Sequence, residues 1–222
     1  MSLEILSWNI LSGGFYDYGS LGAIPPRIYG FADVIKELKP DIVSLVDTHR
    51  WTEVFTVGEI KQIFEYASAY MVKLEDQRLI VKGHDNGITV LTKNPDAKMS
   101  AIWLSTRNAI KTHVAGIDIF SVYFDDVSED TRIKQTKVLL QLVNPDVPTI
   151  ITGDLNTFEK QNLNKTVNNL SKLTHRYPEQ MKNMEISLNE MKRGEVIQLL
   201  NSCRFVDLDK YAILYPRIRT TC

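Results

Sequence analysis

The stretch from residue 69 to residue 124 constrains this chain most. Six short runs, "AYMVKLE", "QRLIVKG", "NGITVLTK", "KMSAIWLST", "AIKTHVAG" and "IDIFSVYF", follow one another with turn residues between them. They are rich in β-branched and aromatic residues, as strands are. No long helix fits among them, so the region reads as an antiparallel meander. Parallel pairing would need crossovers of a dozen or more residues.

Helical patterns lie on either side. "PPRIYGFADVIKELKP" sets Ile28, Phe31, Ile35 and Leu38 at helical spacing, with Pro26 near the start and Pro40 past the end. "WTEVFTVGEIKQIFEYA" predicts a second helix and "DTRIKQTKVLLQLV" a third. "LEILSWNI", "DIVSLV" and "PTIITG" read as strands, and "RFVDL" as a last short one. Residues 159–201 are polar and mostly helical, with Leu163, Val167, Leu170 and Leu173 as one apolar stripe. Strands grouped between helices predict an α+β fold, two mostly antiparallel sheets face to face with helices outside. One domain over 1–222 is expected, with a polar helical insertion around 159–193.

The 222 residues suffice for a real core, and the net charge of −1 supplies no global basic field. A nucleic-acid partner would need a local positive patch. The two cysteines, Cys203 and Cys222, make neither a disulfide framework nor a zinc spacing. No secretory leader and no bilayer-length apolar run is legible, so a cytoplasmic location is expected.

Several strand ends carry side chains that bind ligands. Asn9 ends the first strand, Asp47 closes "DIVSLVD", Asn86 precedes "GITVL", Tyr123 lies near the end of "IDIFSVYF", and Asp154 and Asn156 close "TIITGDLN". One such residue is usually a turn or cap. Several together suit a hard cation, Mg2+ or Mn2+, held by one or two carboxylates with positions left for phosphate oxygens.

"LSWNIL", "KPDIVSLVD", "NGITVLTK", "DIFSVYF", "RIKQTKVLLQLV" and "TIITGDLNTF" stand in the order used by the endonuclease/exonuclease/phosphatase superfamily, which the chain resembles from residue 5 to about 158. The resemblance implies a four-layer αββα sandwich and metal-dependent hydrolysis of a phosphate ester by a phosphodiesterase or nuclease. It gives Asn9 and Asp47 to the metal, with Asn9 also holding phosphate. Asp154 activates water, Asn156 hydrogen-bonds the phosphate, and Tyr123 stands at the fourth block.

The chain departs from that pattern twice. Asp47 replaces a Glu and is one methylene shorter. Where the family closes with Arg-Ile-Asp-Tyr and later Ser-Asp-His, this chain reads "AILYPRIRTTC", with Arg219 in place of the first Asp. A truncated chain, a degenerate binding module and a partner-completed site all fit that ending. An exposed sheet edge would invite self-association. Of the four histidines, His49 and His84 lie near the expected mouth, while His113 and His175 are expected to be structural or solvated. His49, Asn86 and Trp51 are candidate substrate contacts. Trp51 is the expected stacking surface, whereas Trp8 and Trp103 are expected in the core. The lysines and arginines of 158–193 are expected to form a solvated face.

Overall fold

The computed structural model describes residues 3–15, 27–76, 85–157 and 189–207. The elements run β1 (Ile5–Asn9), α1 (Ile28–Leu38), β2 (Ile42–Val46), α2 (Trp51–Val54), α3 (Val57–Phe64), β3 (Ser68–Lys73) and β4 (Gly87–Thr92). They continue β5 (Lys98–Trp103), β6 (Asn108–Val114), β7 (Ile117–Tyr123), α4 (Glu129–Gln141), β8 (Thr149–Asp154) and α5 (Glu195–Ser202).

Two four-stranded sheets result, ordered β1-β2-β4-β3 and β5-β6-β7-β8. Both are mixed: β1 and β2 pair in parallel, as do β7 and β8, while the other neighbours are antiparallel. The expected meander is therefore split, with β3–β4 in one sheet and β5–β7 in the other.

Alternation along the strands builds the layers. Ile42, Val46, Ile88, Val90, Ile110 and Ile119 fill the space between the sheets. Val43, Leu45 and Leu91 point the other way, onto Ile28, Ile35, Ile60 and Phe64 of α1 and α3. Phe120 and Val122 meet Leu139 of α4 and Val196 and Leu200 of α5. Three apolar layers between four layers of elements make an α+β sandwich, as the sequence implies.

Two details differ from expectation, and a third was not foreseen. The helix expected over 51–67 is two helices. The break falls at Phe55–Thr56, where Thr56 caps α3 and shares a capping box with Glu59. Residues 204–207 form no strand; Arg204 turns with φ 67. Helix α4 buries Glu129, Arg132, Gln135 and Thr136 beside Leu139 rather than an apolar stripe. Most of the 159–193 insertion and the final segment with Arg217, Ile218 and Arg219 lie outside the described residues. No described helix is long and apolar enough to cross a membrane.

Candidate active site

Strands β1 and β8 face each other across the sandwich at its edge, and both end at the same mouth. Asn9, the last residue of β1, donates from Nδ2 to Asp154 Oδ2 at 3.0 Å. Asp154 Oδ1 accepts the Asn156 backbone N–H at 2.9 Å, an Asx turn that bends the chain away from β8. The Asn156 amide donates to the Phe124 carbonyl at 2.8 Å, which ties the turn to the end of β7. Both carboxylate oxygens of Asp154 are thus aimed, and each keeps a second lone pair for a ligand.

Gly153 makes this turn possible. Its φ is 119, open to glycine alone, and a Cβ there would collide with the Val122 carbonyl of β7. The close approach keeps Asp154 in register opposite Tyr123.

The exit loop of β1 extends the network. Leu11 N–H donates to Asn9 Oδ1 at 3.0 Å, and Ser12 N–H to Asp47 Oδ2 at 2.9 Å. Asp47 is buried, with φ 61, and its carbonyl accepts from Gly13 N–H at 2.7 Å. Backbone bonds from Thr48 to Gly87 and from Arg50 to Asp85 bring the segment 85–87 alongside 48–50. Asn86 is thereby set near the end of β2. It is buried, and its Oδ1 has no hydrogen-bond partner among the described residues. Beside it, a hydrogen bond from the Asp85 carboxyl and contacts with Lys73 hold Glu53 down at about 2, while burial pushes Asp85 up.

The structure thus brings together Asn9, Asp154, Asn156 and Tyr123, and places Asp47 and Asn86 on adjoining segments. Two expected substrate contacts are corrected. Trp51 is wholly buried: its Nε1 donates to the Gly13 carbonyl at 2.7 Å, and its ring packs on Phe55 and Phe64. No face of it is open for stacking. His49 is also wholly buried, with its ring edge-on to Phe15. Trp103, expected in the core, is 49% exposed at the end of edge strand β5.

His113 is partnered but remote. Its Nδ1 lies 2.7 Å from Asp118 Oδ1. Asp118 sits five residues before Tyr123 on β7, roughly 17 Å away at strand rise. His84 and His175 lie outside the described residues.

Sequence reading missed Arg107. It is 1% exposed and donates from Nε to Asp76 at 2.8 Å, from one Nη to the Phe124 carbonyl at 2.6 Å and from the other to Asp126 at 2.6 Å. Its guanidinium lies 5.3 Å from the centre of the Tyr123 ring. Phe124 thus takes Arg107 and Asn156 on one carbonyl, coupling β6 to the site. Burial works against the Arg107 charge, but Asp126 and Asp76 outweigh it and raise its pKa.

The donors fit a magnesium-type cation by chemistry: Asp47 and Asp154 are carboxylates, and Asn9 and Asn86 are amides. Among the described residues no three His, Cys, Asp or Glu side chains form a cage. Magnesium asks for none, since it takes one or two carboxylates and retains water.

The chain's fold recurs in solved structures. An endonuclease/exonuclease/phosphatase from Beutenbergia cavernae DSM 12333 matches with a TM-score of 0.53 at 19% identity, over 70% of this chain and 48% of that one. A functionally unknown conserved protein from Enterococcus faecalis V583 matches with a TM-score of 0.53 at 15% identity, over 70% and 67%. A mannosyl-6-phosphatase from Bacteroides thetaiotaomicron VPI-5482 gives 0.50 at 16%, over 71% and 67%. The chain spans about half the length of the first of these. No curated protein sequence matches it. The sequence profile of the Endonuclease/Exonuclease/phosphatase family matches residues 6–166, most of the chain. The chain belongs to the endonuclease/exonuclease/phosphatase family.

Proposed function

We propose that this chain hydrolyses a phosphate ester, a phosphodiester such as a nucleic-acid linkage, at the mouth formed by β1 and β8. Its family name covers nucleases and phosphatases, all hydrolases of such esters. One observation carries the reading: Asp154 is a carboxylate whose two oxygens are oriented by Asn9 and by the Asn156 backbone.

In this reading a water lies against Asp154, and a carboxylate oxygen takes its proton as the water attacks phosphorus. The Asn9 and Asn156 amides each keep a second N–H for non-bridging oxygens as charge builds on them, and Tyr123 is assigned as a third donor. Asp47 and Asn9 Oδ1 would hold Mg2+ or Mn2+. Neutralisation of the phosphoryl and leaving oxygens is the chemistry that ion supplies.

A second reading is a binding module that holds phosphate without turnover. It is favoured by Asp47, whose Oδ2 already accepts the Ser12 N–H. Release of nitrophenol from a chromogenic phosphodiester, and cleavage of plasmid and RNA, decide between the two. Each is measured with Mg2+ or Mn2+ and with EDTA. Turnover that needs the metal and is lost in Asp154→Ala, with the fold retained by circular dichroism, supports hydrolysis. Metal-independent or absent turnover overturns it, and retained Mn2+ binding then favours the module.

A further inference from the structure

Leu11 is explained neither by packing nor by backbone preference. Its side chain is 60% exposed, so it gains little from burial. A single exposed leucine is ordinary. This one also has φ 49 and ψ 114, outside the α, β and left-handed regions open to L-residues, on a backbone that a Cβ strains further. Folding alone would favour glycine here.

The residue is nonetheless held firmly beside the site. Its N–H donates to Asn9 Oδ1 at 3.0 Å, and Asn9 in turn reaches Asp154. Its carbonyl accepts from Arg27 Nη2 at 3.1 Å. The same guanidinium group reaches the Phe15 carbonyl at 2.6 Å and, from Nε, the Gly14 carbonyl at 3.3 Å. Three carbonyls of one short loop converge on one side chain, which itself lies 5.9 Å from the centre of the Phe31 ring. Trp51 Nε1 holds a fourth, that of Gly13. An outlier backbone maintained from outside at the mouth of a site points to function there.

We propose that Leu11 is a substrate contact, an apolar lip that packs on the ring attached to the phosphate while the phosphate sits at Asp154, with Arg27 as the positioning residue that keeps it there. The inference rests on the phosphate-ester reading and adds a substrate class to it: esters whose phosphate carries a flat or apolar ring.

Two non-hydrolysable probes of like charge, phenylphosphonate and methylphosphonate, test it by calorimetric titration in Mg2+. Wild type is expected to prefer the phenyl probe about tenfold, the scale of one apolar contact in a pocket. Leu11→Gly is expected to lose that preference while its melting temperature rises, and Leu11→Met to keep it. Arg27→Lys, which cannot span three carbonyls, is expected to lose the preference with methylphosphonate affinity unchanged. Equal affinities in wild type, a preference that survives Leu11→Gly, or no binding of either probe overturns the lip. Product release from the chromogenic diester is scored separately, so loss of the hydrolysis reading with the ring preference intact is a distinct result.

Discussion

Asn9 and Asp154 stand 145 positions apart in the chain and 3.0 Å apart in the fold. Their hydrogen bond joins the last residue of β1 to the last residue of β8, one from each sheet. The carboxylate is therefore aimed by the sandwich as a whole. Asn9→Ala should leave stability within about 1 kcal/mol of wild type, since the bond is exposed. It should lower kcat by roughly 100-fold, the cost of a small misplacement of a reacting group. Steady-state kinetics beside a urea melt checks both. Equal kcat in the two proteins would remove Asn9 from the site.

Gly153→Ala tests the turn from below. Alanine there must both adopt φ 119 and clear the Val122 carbonyl, so the end of β8 has to shift. The strain should cost roughly 1–3 kcal/mol and should move Asp154 out of register with Tyr123. Activity is expected to fall with stability, unlike the Asn9 variant. Urea denaturation with parallel activity assays separates the two patterns.

What could be read in the sequence follows from locality. Asp154 and Asn156 are two residues apart at a strand end, and their placement depends on a turn that "GDLN" spells out. Most strands were legible because alternation survives where one face meets a core, as in β6 with Ile110 and Val114 buried between the sheets and His113 exposed, whereas "QRLIVKG" lies outside the described residues. Sheet membership was not, because nothing local tells β4 and β5 that they belong to different sheets. Trp51 was misjudged because a four-residue helix is too short to show an apolar face. The break after it was legible in principle, since Thr56 and Glu59 have capping-box spacing. Arg107 was missed because its partners, Asp76, Phe124 and Asp126, come from other segments and share no motif with it.

Arg107 and Asp76 form an ion pair in which both side chains are almost fully buried. Arg107→Ala leaves Asp76 buried without that partner and should cost about 3–5 kcal/mol. Arg107→Met combined with Asp76→Leu removes both charges and should cost clearly less than the sum of the single changes. A double-mutant cycle in urea measures the coupling. Additive single effects would mean that Arg107 acts through the Phe124 carbonyl and Asp126 instead.

Asp118 gives the protein an acid-sensitive term far from the site. Its carboxylate is 2.6 Å from Lys111 Nζ and 2.7 Å from His113 Nδ1, with its side chain 4% exposed. Burial alone would raise its pKa, but the hydrogen bonds from Lys111 and His113 outweigh it and hold the group below the usual carboxylate range. A depressed folded-state pKa means stability that is present above the unfolded value and lost as pH falls through the folded one. Asp118→Asn should therefore cost roughly 1–3 kcal/mol at neutral pH. That difference should begin to shrink below about pH 4, where the unfolded carboxyl protonates, and vanish only below the folded-state pKa, where the carboxyl is protonated in both states. Urea melts of both proteins across that range read the effect directly. A gap that stays constant down to the acid limit would show that Asp118 stabilises by shape and neutral hydrogen bonding, with no contribution from its charge.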